Sequence, residues 1–330
     1  MSEFEIKITA GEGIVGNVKS NDNFLVCDFD SCAEIGKKGI KRLDRAALLT
    51  LVAASRLKRR GALEEITADN CGVILGSSTG SISSSTAYTL DTLTQERPDL
   101  VSAALFPTTV MNHAASQLAI RYGYKAINST LSGGRLSFAS ALKQAMTSLY
   151  TGSANQMIVG CVEEGMEATQ IGFRVSNFLQ QGVLGAEGVA LFVVKPKNTN
   201  SNGAIVHSVE VSAAGARRGK RGLVDSIKQS AQHALKVSGF SSKDIDGIII
   251  GSTNVRGIGD AEKTVAKSIF PSAPLFEPNA KAESFTASGA LQIFDMLGRS
   301  GTWVHIISGT DGTAATTIFS GCEDMGSRSF

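Results

Sequence analysis

The chain has 330 residues, of which 42% are hydrophobic, so it can bury a large core and fold without stabilising cross-links. Its 32 basic and 30 acidic side chains give a formal net charge of only +2, which argues against nucleic acid or a membrane surface as its partner. No apolar run approaches the ~20 residues that span a bilayer, and the first residues carry no secretory signal pattern. We therefore expect a cytoplasmic protein that recognises its partners through local surfaces.

Helices and strands are predicted to alternate along the chain. Continuous apolar runs that end in small residues are typical of strands covered on both faces, and apolar residues at three- and four-residue spacing predict amphipathic helices. In chain order the pattern predicts a helix at 43–59, a strand at 71–78, a helix at 135–150, strands at 156–163 and 188–195, a helix at 225–239, a strand at 246–253, a helix at 288–297 and a strand at 303–310. Such alternation indicates an α/β fold with a mixed or parallel sheet.

The same order of parts occurs twice in the sequence. CGVILGSSTG (71–80) matches DGIIIGSTNV (246–255), a Ser/Thr/Gly turn that opens a helix follows in each half, and each half then returns with an apolar strand. The repetition predicts two pseudo-equivalent βαβαβ halves, residues 1–198 and 199–330. A polar connection, KPKNTNSNG (195–203), lies between them.

The five cysteines show no CxxC pair and no metal-ligand spacing. They are Cys27, Cys32, Cys71, Cys161 and Cys322. Cys71 and Cys161 fall in strand-like runs, where a thiol is a small apolar core residue. We interpret the cysteines as reduced, mostly buried thiols and predict no metal site.

Six segments, taken in order, resemble those of one known family. They are RLDRAALLTLVAA (42–54), CGVILGSSTGS (71–81), FPTTVMNHAASQLAIRYGYKAINST (106–130), GAEGVALFVV (185–194), DIDGIIIGS (244–252) and GTDGTAATTIF (309–319). The family is the thiolase-fold β-ketoacyl synthases of fatty acid and type II polyketide assembly. The resemblance covers most of the chain and implies that the two halves form a layered α-β-α-β-α arrangement.

The groups that this family uses for decarboxylative condensation are missing. The reaction needs a cysteine thiolate on a tight turn at a helix start, where backbone N–H groups stabilise it, and two histidines. STLSGG (129–134) resembles that turn, and matching it to the family places Leu131 at the position of the cysteine. The resemblance places Ser252 at the first histidine and Glu283 at the second, or Ser284 if the register differs by one. An isobutyl group cannot be acylated, so we predict no catalytic residue.

None of the four histidines is predicted to replace the lost groups. His113 precedes the turn, His207 and His305 lie in strand-like stretches, and His233 lies in a helical stretch. We therefore expect no imidazole near the turn. The joint loss of three groups indicates that the condensation reaction is not selected in this chain.

The resemblance implies a partner subunit. In type II polyketide systems a degenerate homologue, the chain-length factor or ketosynthase β subunit, pairs with an active ketosynthase and shapes the tunnel for the growing chain; related partners serve aryl polyene synthases. One implied interface strand consists of Ala126, Ile127, Asn128, Ser129 and Thr130. The tunnel and interface segment before it consists of Thr108, Thr109, Val110, Met111 and Asn112. Met111 and its neighbours are then expected to set product length.

Two other functions stay open. One is an acyltransferase with altered chemistry that uses Ser132 or Glu283, although Ser132 also fits a helix N-cap. The other is a scaffold that recruits acyl carrier protein through a basic cluster. That cluster consists of Arg217, Arg218, Lys220 and Arg221. The resemblance implies no cofactor of its own, since the partner handles the phosphopantetheine arm of the carrier. Glu163 and Glu164 are assigned a structural or solvent-exposed role.

Overall fold

A computed structural model describes residues 4–20, 24–214, 219–278 and 282–325, without the side chains of Pro98 and Lys220. The strands are β1 (Ile6–Val15), β2 (Val18–Lys19), β3 (Leu25–Val26), β4 (Cys71–Gly76), β5 (Asn128–Leu131), β6 (Gln156–Glu163), β7 (Leu184–Gly185), β8 (Gly188–Pro196), β9 (Ala204–Ser212), β10 (Gly247–Ile250), β11 (Leu275–Phe276), β12 (Ala282–Glu283), β13 (Thr302–Ser308) and β14 (Ala314–Ser320). The helices are α1 (Ser31–Ile35), α2 (Arg45–Arg59), α3 (Ile82–Thr94), α4 (His113–Tyr122), α5 (Ser137–Tyr150), α6 (Glu167–Val175), α7 (Gly219–Ser238), α8 (Gly259–Ile269) and α9 (Ser288–Met296). Within these ranges no helix combines the length and apolar character needed to cross a bilayer.

The large sheet contains the same five-strand order twice. Its strands follow the order β11-β10-β13-β14-β9-β1-β8-β6-β4-β5. In the first half β5, β4 and β6 are parallel, whereas β8 and β1 are added antiparallel. In the second half β11, β10 and β13 are parallel, and β14 and β9 are added antiparallel. The halves meet where β1 pairs with β9. The boundary at residues 198 and 199 lies between β8 and β9 and stays a prediction.

Three clusters of buried apolar side chains, counted in the described residues, organise the layers. One lies between α2, α4 and the first half of the sheet, and another lies between α7, α8 and the second half. The third surrounds α5 and α9, which pack between the two halves. There Phe138 of α5 and Phe192 of β8 have ring centroids 5.2 Å apart. Both faces of the central strands are covered, as their continuous apolar runs predict. The order of layers is therefore α-β-α-β-α.

The segment between β5 and α5 differs in detail from its prediction. The strand predicted at 126–130 begins at Asn128 and ends at Leu131, and the helix predicted from Arg135 begins at Ser137. Helical geometry starts later because the chain turns sharply at Gly134, whose φ is 57°. As the last strand of the sheet, β5 has a neighbour on one side only in the described part of the chain.

Candidate functional site

The turn between β5 and α5 is a compact strand-to-helix connection. Its hydrogen bonds centre on Ser137, whose hydroxyl accepts from the amide of Gly133 at 2.9 Å and donates to the carbonyl of Gly134 at 2.7 Å. Leu131 ends the strand and pairs with Gly76 of β4. The turn thus keeps the shape that would present a nucleophile, with an isobutyl group at the position where the resemblance implies a thiol.

A buried thiol lies behind this turn but is not a nucleophile. A Cβ atom on Gly76 would lie 2.3 Å from Cys161 Sγ, so glycine is needed for the two strands to pack. Burial raises the pKa of the Cys161 thiol well above its ordinary value, which keeps it protonated and unreactive. All five cysteines are free, and Cys27, Cys71 and Cys161 are buried.

A buried ion pair joins the two halves next to the turn. Arg135 is 1% exposed, and its Nη1 atom donates to Oε1 of Glu283. Its Nη2 atom donates to the carbonyl oxygen of Gly251 at 2.8 Å, and Ser288 Oγ donates to the same Glu283 oxygen at 2.8 Å. Glu283 is therefore neither a solvent-exposed residue nor an available acid or base. Its proposed reaction with an acyl donor is disfavoured because a substrate would have to displace a paired, buried cation.

Ser252 lies beside the same ion pair and is held by Glu262 of α8. The Ser252 amide donates to Glu262 Oε2 at 2.9 Å, and its hydroxyl donates to Oε1 at 2.7 Å. Burial raises the pKa of Glu262 to about 7. Because Ser252 follows Gly251 directly, Arg135 brings together the two positions that the resemblance assigns to the histidines. Both positions belong to a buried polar network and carry no imidazole.

One histidine lies closer to this network than the sequence predicts. His305 Nε2 is 2.8 Å from Gln292 Oε1, and Gln292 Nε2 donates to the Gly251 carbonyl at 3.0 Å. The expectation of no nearby imidazole is wrong for His305 because parallel β10 and β13 place it beside Ile249. Burial, with a contribution from Arg135, lowers the His305 pKa to about 3. The imidazole is therefore neutral and enclosed, and cannot act as a general acid at neutral pH.

Aromatic side chains stack against the segment that carries Glu283. Phe173 and Phe178 stack with centroids 5.0 Å apart, and Phe285 contacts both at 5.8 and 5.7 Å. Phe285 has a φ of 46°, a left-handed conformation that is strained for a bulky residue. Beside this stack Glu283 and Ser284 are buried, whereas Ala282 and Phe285 are half-buried.

The alternative nucleophile Ser132 is exposed and lacks an activating group. Within the described residues its hydroxyl forms no hydrogen bond. It is also not the N-cap of α5, since that position is Leu136, so the capping interpretation is wrong. The turn extends further than the pattern of glycines indicates, which separates Ser132 from the helix by several residues.

Glu163 and Glu164 are buried rather than exposed to solvent. Burial raises the pKa of both carboxyls, that of Glu164 to about 7. Glu163 accepts from the backbone amide of Ser78 in the connection between β4 and α3, and Glu164 accepts from that of Ser83 in the first turn of α3. Of the two roles that the sequence left open, the structural one is therefore the one observed.

Arg135 and Glu262 are the members of the network that sequence reasoning missed. Arg135 lies three and four residues before Phe138 and Ala139, so it falls on the apolar face of the predicted helix. A charged residue on a core-facing stripe is a signal of a buried partner. Glu262 carries a weaker signal, since acidic residues in the first turn of a helix commonly face solvent.

The predicted tunnel segment connects a 3₁₀ helix to α4. Thr108 ends that helix, Thr109 and Val110 are half-buried, Met111 is 39% exposed, and Asn112 is exposed at the start of α4. The segment therefore lies at the surface of the isolated chain, where Met111 is open to a partner.

The predicted interface strand lies beside α4. Ala126 and Ile127 are half-buried just before β5, and Asn128 is exposed and donates to the carbonyl of Ala115 in α4 at 3.0 Å. Ser129 and Thr130 are half-buried. The open edge of β5 thus borders α4, which follows the tunnel segment.

An exposed apolar surface surrounds these two segments, and we call it the α3–α4 surface. Its side chains are Leu90, Leu93, Leu100, Leu105, Phe106, Met111 and Ile120. Tyr88 of α3 and Phe106 have ring centroids 6.2 Å apart, which ties the helix to the segment before α4. None of the residues of α3 is buried, so its apolar side chains Leu90 and Leu93 stay exposed. Exposed apolar area of this kind is typical of a protein interface.

Most of the basic cluster lies outside the part of the chain that the structure describes. Arg217, Arg218 and the side chain of Lys220 lie outside the described residues, and Arg221 is exposed in the first turn of α7. Its role in carrier binding stays a prediction.

Known proteins match both the sequence and the fold. The family model for the N-terminal domain of β-ketoacyl synthases matches residues 12–200, more than half of the chain. The ishigamide ketosynthase/chain length factor has a TM-score of 0.84 at 23% identity, covering 96% of this chain and 99% of that chain. A β-ketoacyl synthase from Burkholderia phymatum STM815 has a TM-score of 0.80 at 15% identity, with the same coverage. No curated protein sequence matches the chain.

A third solved structure has the same architecture. It is a type II polyketide synthase acyl-carrier protein in complex with its ketosynthase bound to the hexaketide, with a TM-score of 0.75 at 14% identity over 96% of this chain and 99% of that chain. At these identities the likeness establishes the fold alone. The predicted thiolase-like ketosynthase fold is thereby confirmed.

Proposed function

This chain belongs to the β-ketoacyl synthase family, and we propose that it is a non-catalytic subunit, similar to a chain-length factor, that pairs with an active ketosynthase. In that role it shapes the tunnel that receives the growing acyl chain. The partner carries the thiol, the two histidines and the contact with the phosphopantetheine arm, so this chain needs no cofactor of its own. We propose the cytoplasm as the location of this assembly.

The observation that carries the proposal is the Arg135–Glu283 ion pair. Condensation requires a thiolate and groups that stabilise a carbanion and an oxyanion as charge develops. Here the guanidinium of Arg135 is paired with the carboxylate of Glu283, and the hydroxyl of Ser252 is hydrogen-bonded to Glu262, where an imidazole pair would work. These positions therefore offer a substrate no imidazole.

A second subunit is supported by the β5 edge and the α3–α4 surface. An open sheet edge offers unpaired N–H and C=O groups, which proteins commonly cover to avoid uncontrolled association. Burying Leu90, Leu93 and Phe106 on a partner would remove apolar area that costs roughly 25 cal/mol per Å² to leave in water. Met111 lies in the same region, so a partner seated there meets the predicted tunnel residue.

Co-expression with the active ketosynthase encoded nearest to this chain tests the proposal. We expect the two proteins to co-purify and elute as one complex, and the complex to extend malonyl-loaded carrier protein. Replacing Met111 with alanine is expected to lengthen the product and replacing it with tryptophan to shorten it, because side-chain bulk limits the space for the acyl chain. Condensation by this chain alone would overturn the proposal.

The two alternatives predict different results in the same system. An acyltransferase that uses Ser132 would gain the mass of an acyl group from acyl-carrier or acyl-CoA donors, and Ser132→Ala would abolish the adduct. A carrier-protein scaffold would leave product length unchanged in both Met111 variants. We favour neither alternative, since Ser132 has no base beside it and Met111 is open to a partner.

A further inference from the structure

Two buried carboxylates at the end of β6 hold the connection between β4 and α3. Glu163 is 5% exposed, and its oxygens accept from the amides of Ser78 at 3.0 Å and Thr79 at 2.8 Å. Glu164 is 2% exposed and accepts from the amide of Ser83 at 2.6 Å. Glu163 thus holds the start of the connection, and Glu164, the residue after β6, holds the first turn of α3.

Ser85, in the first turn of α3, in turn holds the tunnel segment through its hydroxyl, and Ser81 lies beside that segment. Ser85 Oγ donates to the carbonyl of Thr109 at 2.8 Å. Ser81 Oγ donates to Asp44 Oδ2 at 2.6 Å and lies 3.4 Å from the carbonyl oxygen of Val110. The backbone of the tunnel segment is therefore fixed to the N-terminal turn of α3.

Gly80 sets how closely the tunnel segment approaches the connection. Its φ is +56°, and a Cβ atom there would lie 2.9 Å from Met111 Cα and 3.1 Å from Met111 Cγ. Any side chain at this position would push Met111 away from the connection, and Met111 is 39% exposed. The absence of a side chain at Gly80 thus determines where Met111 sits.

We propose that Gly80 and Ser85 are positioning residues that fix how far Met111 reaches into the partner's acyl tunnel. Glu163 and Glu164 support both residues by accepting hydrogen bonds from the backbone on either side of Gly80. This inference rests on the proposed function, because it assumes that Met111 limits the length of the acyl chain. It assigns specificity to residues that do not themselves line the tunnel.

Replacing Ser85 with alanine tests the hydrogen bond to Thr109. We expect the tunnel segment to loosen and the product distribution to shift to longer chains, with complex formation unchanged. The ratio of the two main product lengths should change about five-fold, the population shift for a lost hydrogen bond of about 1 kcal/mol. Ser85→Thr keeps a hydroxyl and should restore the original ratio. Ser84→Ala is the matched control, since the Ser84 hydroxyl has no partner among the described residues.

Replacing Gly80 with alanine tests the close approach to Met111 and predicts the opposite direction. The added methyl group should press Met111 toward the partner and shift the distribution to shorter chains. If both variants assemble normally and neither changes product length, while the Met111 variants do, the positioning role is wrong and the proposed function stands. If the Met111 variants also leave product length unchanged, the tunnel-shaping function itself is wrong, and the positioning role that rests on it is wrong as well.

Hydrogen exchange of the isolated chain tests the positioning role without any partner. Amides in residues 105–112 should exchange faster in Ser85→Ala than in Ser84→Ala, because the segment loses a contact that anchors it. Equal exchange in the two variants overturns the inference whatever the product assay shows.

Discussion

At the scale of single residues, Arg135 is the buried cation around which the polar groups of the candidate site are arranged. A guanidinium that is 1% exposed is tolerated only when its charge is paired, and here Glu283 pairs the charge while the Gly251 carbonyl accepts from Nη2. The pair also fixes β12 of the second half against the turn of the first. The site is consequently a structural connection between the halves.

Removing the cation should destabilise the protein strongly. We expect Arg135→Ala to lower the free energy of unfolding by roughly 3–5 kcal/mol, because Glu283 is left buried without its partner. Urea denaturation followed by circular dichroism measures this. The double variant Arg135→Met with Glu283→Leu should regain most of the loss, since an apolar pair of similar volume needs no compensation. A loss below about 1 kcal/mol in the single variant would contradict the structural role.

The buried Glu262 predicts a pH dependence of stability. Its pKa is raised by burial from 4.5 to about 7, so between these values the native state holds a proton that the unfolded state releases. Stability should therefore fall as pH rises from about 4.5 to about 7, by up to roughly 3 kcal/mol from this group. Glu262→Gln should reduce the fall in melting temperature between pH 5 and 8 but not abolish it, because burial raises the pKa of Glu164 to about 7 as well; calorimetry in steps of about 0.5 pH measures this. Glu64 is exposed, and Glu64→Gln is the control that should leave the change of melting temperature with pH as it is in the unsubstituted protein.

At the scale of secondary-structure elements, β5 and α3 lack the partners that such elements normally have. β5 pairs only with β4, and α3 buries none of its residues within the described chain. A helix that stays exposed gains little stability by itself, because helix stability in proteins comes mainly from packing. Both elements are explained if a second subunit covers them.

A charge on α3 should block assembly without unfolding the chain. Leu93 is 78% exposed in the last turn of α3, so Leu93→Lys costs little in the isolated protein and is compatible with the helix dipole. We expect it to weaken co-purification with the partner ketosynthase at least about ten-fold, as for a buried hot-spot residue. Tyr150→Lys is the control, since Tyr150 is 57% exposed in the last turn of α5. Equal losses in both variants would count against the α3–α4 surface.

At the scale of the whole molecule, the two halves share one core. The central apolar cluster contains residues of β4, β6 and β8 together with residues of β9 and β13, and α5 and α9 lie between them. The β1–β9 pairing continues the sheet across the boundary. We therefore expect the halves to unfold together rather than as separate domains.

Phe192→Ala tests this cooperativity. Phe192 is fully buried in β8, so truncation should lower the free energy of unfolding by about 3–5 kcal/mol. The single tryptophan, Trp303, lies in β13 of the second half and reports that half by fluorescence. The fluorescence transition should shift as far as the circular dichroism transition. An unshifted Trp303 signal would show that the halves unfold independently.

The sequence by itself predicts strands β4, β6, β8, β10 and β13, four of the nine helices in the described chain, and the duplicated order of parts. These depend on local patterns, such as continuous apolar runs for β4, β6 and β8 and helical spacing for α5, whereas the place of Leu131 at the thiol position is what the family resemblance implies. Hydrophobic periodicity and turn chemistry are properties of neighbouring residues, so they can be read without knowing the fold.

Only the tertiary structure decided which buried polar groups meet. Arg135 and Glu283 are 148 residues apart, and His305 joins their network because β10 and β13 are adjacent in the sheet. Glu163 and Glu164 hold a connection that is 80 or more residues away in sequence. A charged side chain in a low-dielectric interior is stable only with its specific partner, and that partner is determined by the packing of distant segments.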